Sequence, residues 1–128
     1  MKKYLIVLVI LNVVLLTRCE QEKDYNLDLI KRSWTHSFEE DSADDYLTYR
    51  PSNYKEFPPS RFRQCLDFKD NYVCSFLVVS PNDAHYTKEG VWEYDEPAST
   101  IKIMDENSVL VKFKILELNK NVLRLKVQ

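Results

Sequence analysis

The segment VLVKFKILEL, residues 109–118, and the segment VLRLKV, residues 122–127, stand on either side of Asn119, Lys120 and Asn121. Successive side chains of a strand point to opposite faces, so Val109, Val111, Phe113 and Ile115 share one face. Past Val122, the alternating residues Leu123, Leu125 and Val127 continue it, giving one apolar surface across two strands joined by a tight turn. Such a face must be covered by other elements or buried by closure of the sheet on itself.

The same signal recurs upstream. WTHSF (34–38), CLDF (65–68), YVCSFLVV (72–79), VWEY (91–94) and TIKIM (100–104) are short, rich in aromatic and β-branched residues, and separated by Asn, Asp, Lys and Pro. Residues 68–72, 95–99 and 118–122 read as hairpin turns built from Asn and Asp, because Gly90 is the only glycine. The pattern predicts an all-β fold, a small antiparallel meander barrel or sandwich of seven or eight strands. Pro51, Pro58 and Pro59 remove backbone donors from residues 42–60, which therefore read as a long ordered loop wrapped over one end. Bulky residues expected to face inward, Trp34, Phe68, Phe76, Trp92 and Phe113, favour a filled interior over a large cavity.

The first residues follow a different rule. Lys2 and Lys3 precede an apolar run, residues 4–16, interrupted by Asn12 alone and ending at Thr17-Arg18-Cys19. That is too short for a spanning helix, which needs about twenty apolar residues, and has the basic leader of a secretory signal. Residues 1–18 are thus expected to be a signal peptide. Leu16-Thr17-Arg18-Cys19 resembles a lipobox, which implies lipidation of Cys19. Arg18 stands where that box carries a small residue, so ordinary secretion or an uncleaved anchor are the alternatives. Residues 19–26 then form a lipidated cysteine and polar tether, and the acidic run from Glu20 resembles the surface-export signals of some Bacteroidetes lipoproteins. The barrel domain is expected over 27–128, in the cell envelope, on the outer membrane and either periplasmic or surface-exposed.

Three of the 18 basic residues lie in that leader and none of the 20 acidic ones, so the remaining chain carries a formal charge of −5. No basic cluster offers a footprint for a phosphate backbone, which argues against nucleic acid as a partner. With Cys19 lipidated, Cys65 and Cys74 remain as a pair in a compartment that permits a disulfide. They would be directly opposite if Lys69-Asp70 were a two-residue loop, and offset otherwise.

Trp34-Thr35-His36-Ser37-Phe38-Glu39-Glu40, Tyr49-Arg50-Pro51, the run from Phe57 to Arg63, Pro81-Asn82-Asp83 and Gly90-Val91-Trp92 appear in an informative order. Together they resemble a group of small bacterial lipoproteins, of Bacteroidetes type, with a lipocalin-like β-barrel domain. The resemblance covers residues 27–128. Phe62 and Ser33 stand where that group carries glycine. The resemblance implies the barrel and brings no activity with it.

Chemistry-bearing residues concentrate in WTHSFEED, residues 34–41. His36 shares strand parity with Trp34 and Phe38, which points it inward as a core imidazole. A metal would need further ligands, and Glu39, Glu40, Asp83 and His85 are the candidates. Residues four apart on a strand are about 13 Å apart, so His36 and Glu40 cannot share an ion unless the chain bends, and no zinc-type spacing occurs. Ser37 and Ser60 lack a glycine elbow, and neighbouring carboxylates on a strand face opposite sides. No metal, cofactor or catalytic set is therefore expected.

Arg50, Arg61 and Arg63 are the natural partners of Glu39 and Glu40, since a guanidinium fork takes a carboxylate through two parallel hydrogen bonds. Those pairs would fasten the long loop to the barrel end; the rival role for the arginines is to grip an anionic ligand there. Tyr46, Tyr49, Tyr54, Phe57 and Phe62 would cover the core or present a contact surface. Two expectations follow. One is a noncatalytic, envelope-anchored binding module that takes a small apolar or amphipathic ligand at its mouth. The other is a filled-barrel interaction protein that binds an envelope protein through its loops. A hydrolase using His36 with Glu39 or Glu40 is the least favoured.

Overall fold

Period-two alternation builds the wall of a barrel. The computed structural model describes residues 25–106 and 108–128; the expected signal peptide and Cys19 lie outside them. The described residues form eight strands: β1 (Ser33–His36), β2 (Leu47–Pro51), β3 (Cys65–Phe68), β4 (Val73–Val79), β5 (His85–Asp95), β6 (Thr100–Asp105), β7 (Ser108–Leu118) and β8 (Leu123–Val127). They close as an antiparallel barrel in the order β1-β2-β8-β7-β6-β5-β4-β3, with β3 returning to β1. From β3 to β8 each strand pairs with the next. Next-neighbour order is interrupted at one place: β1 is inserted between β2 and β3, and residues 52–64 carry the chain past it.

One end of the barrel is a floor. The turns at 69–72, 96–99 and 119–122 lie there, as does the 3-10 turn Leu27–Leu29 that leads into Ile30. Ile30, Trp34, Phe68, Trp92, Ile101 and Leu123 are buried, each large side chain contributing about 1.5–3 kcal/mol by leaving water. Trp34 donates its indole N–H to the Ile30 carbonyl at 2.9 Å, and Trp92 donates to Lys69 O at 3.2 Å, so both rings are buried without a stranded donor. Phe76 and Phe113 are buried as well, and all five bulky residues expected inside are inside.

Three expectations need correction, and the question left open for the two cysteines is decided. Residues 42–60 are not all loop, because β2 lies within them and pairs with both β1 and β8. Pro51 is tolerated as its last residue. Ser52 N–H bonds to Ser33 O on the β1 side, and on the β8 side the ladder has already ended at Tyr49 and Leu123, so no rung needs the missing donor.

Phe38 does not follow Trp34 and His36 inward. The strand stops at His36, the backbone turns at Ser37 into the 3-10 turn Phe38–Glu40, and Phe38 is 42% exposed.

Cys65 and Cys74 are free. The hairpin turn is four residues long, with Lys69 N–H bonded to Val73 O, and the register pairs Cys74 with Phe68. Cys74 faces the core with Phe68, whereas Cys65 has the opposite parity to buried Leu66, so the two thiols lie on opposite sides of the wall.

The apolar face of β7 and β8 is buried only in part. Phe113, Ile115, Leu123 and Leu125 are core, but Val109 and Val127 are more than half exposed. β8 makes its last rung with β2 at Leu47 and Leu125, so Val127 projects beyond the closed section. Val109 is turned outward by the register shift between Ile103 and Met104, which pairs it with Met104 and not with buried Ile103.

Gly90 marks a close approach between strands. A Cβ there would lie 2.3 Å from the Met104 carbonyl oxygen, beside the register shift between Ile103 and Met104. Only glycine fits that approach.

Candidate functional site

The bend at Ser37 sorts the polar residues of the 34–41 stretch onto two sides of the wall. Ser37 is buried; its N–H donates to Thr48 O at 2.8 Å and its hydroxyl to Glu40 Oε2 at 2.8 Å. Glu40 receives Arg50 through two bonds, Nε at 2.9 Å and Nη2 at 2.6 Å. The third nitrogen of Arg50 donates to Asn121 O, and its plane stacks on Tyr54. Glu39 receives Arg63 in the same two-pronged manner, at 2.7 and 3.1 Å, while Arg63 also donates to the carbonyls of His36 and Pro58. Phe38 lies against the Arg63 guanidinium, 4.2 Å from its centre. The bonds from Arg63 and Arg50 hold the Glu39 and Glu40 carboxyls at about 2, well below the usual carboxylate range.

Adjacent carboxylates are thus separated by a turn that aims them at different arginines, and strand parity plays no part. Arg50 and Arg63 have their donors engaged by protein acceptors, which leaves them no free fork for an anion. Arg61 is exposed and has no ion-pair or hydrogen-bond partner among the described residues, so its expected pairing is not formed.

His36 points inward. It is the cross-strand partner of Tyr49, and the rings stack with centroids 4.9 Å apart. Its Nε2 is 2.7 Å from Asp41 Oδ2, and Asp41 Oδ1 accepts the Thr48 N–H at 2.6 Å. Sequence reasoning missed Asp41 as the histidine's partner, since an extended chain would hold the two far apart; only the bend at Ser37 joins them. Asp83 and His85 do not approach this group. Asp83 lies in the turn between β4 and β5, and His85 meets the edge of Phe62, with ring centroids 5.5 Å apart. Among the described residues no three His, Cys, Asp or Glu side chains are grouped to hold a metal ion. No hydrogen bond joins the His36 ring to a hydroxyl or thiol among them either.

Opposite the floor, the barrel interior opens as a cavity of about 270 Å³ lined by Tyr49, Gln64, Leu66, Phe76, Ile103, Leu110, Val111 and Phe113. Larger depressions of about 460, 400 and 330 Å³ lie elsewhere. Their linings include Glu93 in the first, Asp67, Lys69 and Glu89 in the second, and Asp44, Asp45 and Lys126 in the third. Of these four, the smaller cavity alone combines an interior position with a lining free of charge, the character expected of a site for an apolar molecule. Gln64 is bonded through both amide atoms: its oxygen accepts from Leu77 N–H and Cys65 N–H, and its NH₂ donates to Leu77 O. It thereby extends the β3–β4 ladder by one side chain. Lys88, cross-strand partner of Phe76, pairs with Asp105 at the same end. Exposed Val79, Tyr86, Val109 and Leu110 give that end an apolar rim. The sequence reading placed none of Gln64, Lys88, Asp105 or Leu110 at a site, because their convergence depends on register.

Compared with family models, curated proteins and solved structures, the chain finds no match.

Proposed function

We propose that this chain is a noncatalytic binding module of the cell envelope, whose barrel mouth takes a small apolar or amphipathic molecule. The observation that carries this reading is the uncharged cavity of about 270 Å³ inside a barrel whose other end is closed by Ile30, Trp34 and Trp92. At that size it would suit one slender chain or ring, since pockets for drug-sized ligands run from about 300 to 1,000 Å³. The carboxylates and arginines beside it hold the corner of the wall, and the imidazole is held between Asp41 and Tyr49.

The apolar leader and the Leu16 to Cys19 pattern support attachment through a lipid on Cys19. The path of the chain then gives the mouth a direction. Tyr25 bonds to the carbonyls of Ile115 and Leu116, and Arg32 to that of Lys120, so the chain enters beside the floor. Residues 20–24 span about 18 Å at most, while an eleven-residue strand such as β5 is about 36 Å long. A membrane holding Cys19 would therefore meet the floor, and the mouth would face away from it.

The exposed rim favours a second reading, in which an envelope protein docks on Val79, Tyr86, Val109 and Leu110. A pair of variants separates the two. Val111→Trp fills the cavity and leaves the rim, whereas Val109→Asp alters the rim alone. Binding of a slender apolar probe, methyl hexyl ketone, should be present with the native protein and Val109→Asp, and lost with Val111→Trp. Absence of binding of this probe and of octanoate to the native protein would overturn the ligand reading and leave the docking one.

A further inference from the structure

Tyr49 is 3% exposed, yet among the described residues no donor or acceptor bonds to its hydroxyl. The hydroxyl is not sealed off: it keeps contact with solvent, and a tyrosine this buried reaches solvent through the cavity it lines. Tyr49 also lines the cavity, where every other side chain is apolar or, in Gln64, already bonded to backbone. Tyr49 is therefore the one polar side chain of the lining with no hydrogen bond among the described residues. Burial, followed by the nearby Asp41 carboxylate, pushes the Tyr49 hydroxyl further up from its usual range, so it is a proton donor at any physiological pH.

We infer that the cavity selects an uncharged apolar molecule bearing a single hydrogen-bond acceptor, such as a ketone, aldehyde, ester or alcohol, which accepts from the Tyr49 hydroxyl. This rests on the binding-module reading and narrows its ligand class. A carboxylate head is disfavoured twice: no basic group lines the cavity to pair with it, and the Asp41 charge stands next to Tyr49. A hydrocarbon without an acceptor would fill the volume and leave the hydroxyl unsatisfied.

The test uses full-length protein in lipid nanodiscs, with protein-free nanodiscs as the partition baseline. The probes are methyl hexyl ketone labelled with carbon-13 at its carbonyl, and octanoate of the same length. The ketone should bind, with octanoate weaker by about tenfold or more. Tyr49→Phe should weaken the ketone by about fivefold and abolish the hydrogen-bond shift of its labelled carbonyl infrared band. The same variant should not lower the melting temperature, because it removes an unpaired group. Ketone binding that is unchanged by Tyr49→Phe, octanoate binding as tight as the ketone, or a fall in melting temperature would each overturn this inference while leaving the cavity as a site. Failure of both probes to bind the native protein would overturn the binding-module reading itself.

Discussion

Arg50 holds Glu40 through Nε and Nη2 while its remaining nitrogen reaches Asn121 O, so one side chain ties the corner after β1 to the turn between β7 and β8. The pair is largely shielded, with Arg50 the more buried partner. Truncating Arg50 to Ala should lower stability by about 2 kcal/mol, between the values for exposed and buried pairs. In a double-mutant cycle with Glu40→Gln the two should couple by about 1 kcal/mol. Additive effects in thermal melts would show that the contact adds nothing to the fold. The Glu39–Arg63 pair, whose carboxylate is in water, should couple less.

The same carboxylates set an acid limit. Glu39 and Glu40 sit at about 2 when folded, against 4.5 without partners. A depressed folded value means the stabilisation is fully present above pH 4.5 and is lost as pH falls from about 4.5 towards 2. Chemical denaturation across that window should show stability falling with pH in the native protein and a flatter profile for Glu40→Gln. Identical slopes would remove Glu40 from the account.

How much of this was legible beforehand varied from residue to residue. The last two strands announce themselves, because Phe113 and Ile115 in β7 and Leu123 and Leu125 in β8 alternate with charged residues. β2 was hidden by Pro51, whose tolerance depends on where the β8 ladder ends. With β2 unread, the parity that puts Tyr49 into the cavity was invisible. The partnership of His36 with Asp41 was equally out of reach, since it needs the bend at Ser37. Charge pairing of Glu39 and Glu40 with arginines could be anticipated by chemistry, but the choice of Arg50 and Arg63 over Arg61 is made by the path of residues 52–64.

The two barrel cysteines should stay reduced. Burial pushes the Cys74 thiol up to about 12, and Cys65 faces away from it across the wall. Mass mapping after iodoacetamide treatment of the folded, unreduced protein should find Cys74 unmodified, and after denaturation both thiols should react. A Cys65–Cys74 cross-link would contradict the register of β3 and β4.

Two backbone positions should respond in opposite directions. Gly90→Ala forces a methyl against the Met104 carbonyl and should cost about 3 kcal/mol, at the upper end for overpacking. Ser99 has φ of 50° in the turn between β5 and β6, a region costly for residues with a Cβ, so Ser99→Gly should gain about 1 kcal/mol. Thermal melts read both; a neutral Gly90→Ala would mean the strands can part at the register shift.

The central claim is that the barrel mouth holds a small molecule, and native mass spectrometry of the full-length protein purified from the cells that make it tests it most directly. The account predicts an adduct of small-molecule mass, released on denaturation, present in the native protein and absent when Val111→Trp fills the cavity. A native protein that arrives with an empty mouth and a stoichiometric protein partner bound, equally so in Val111→Trp, would contradict it.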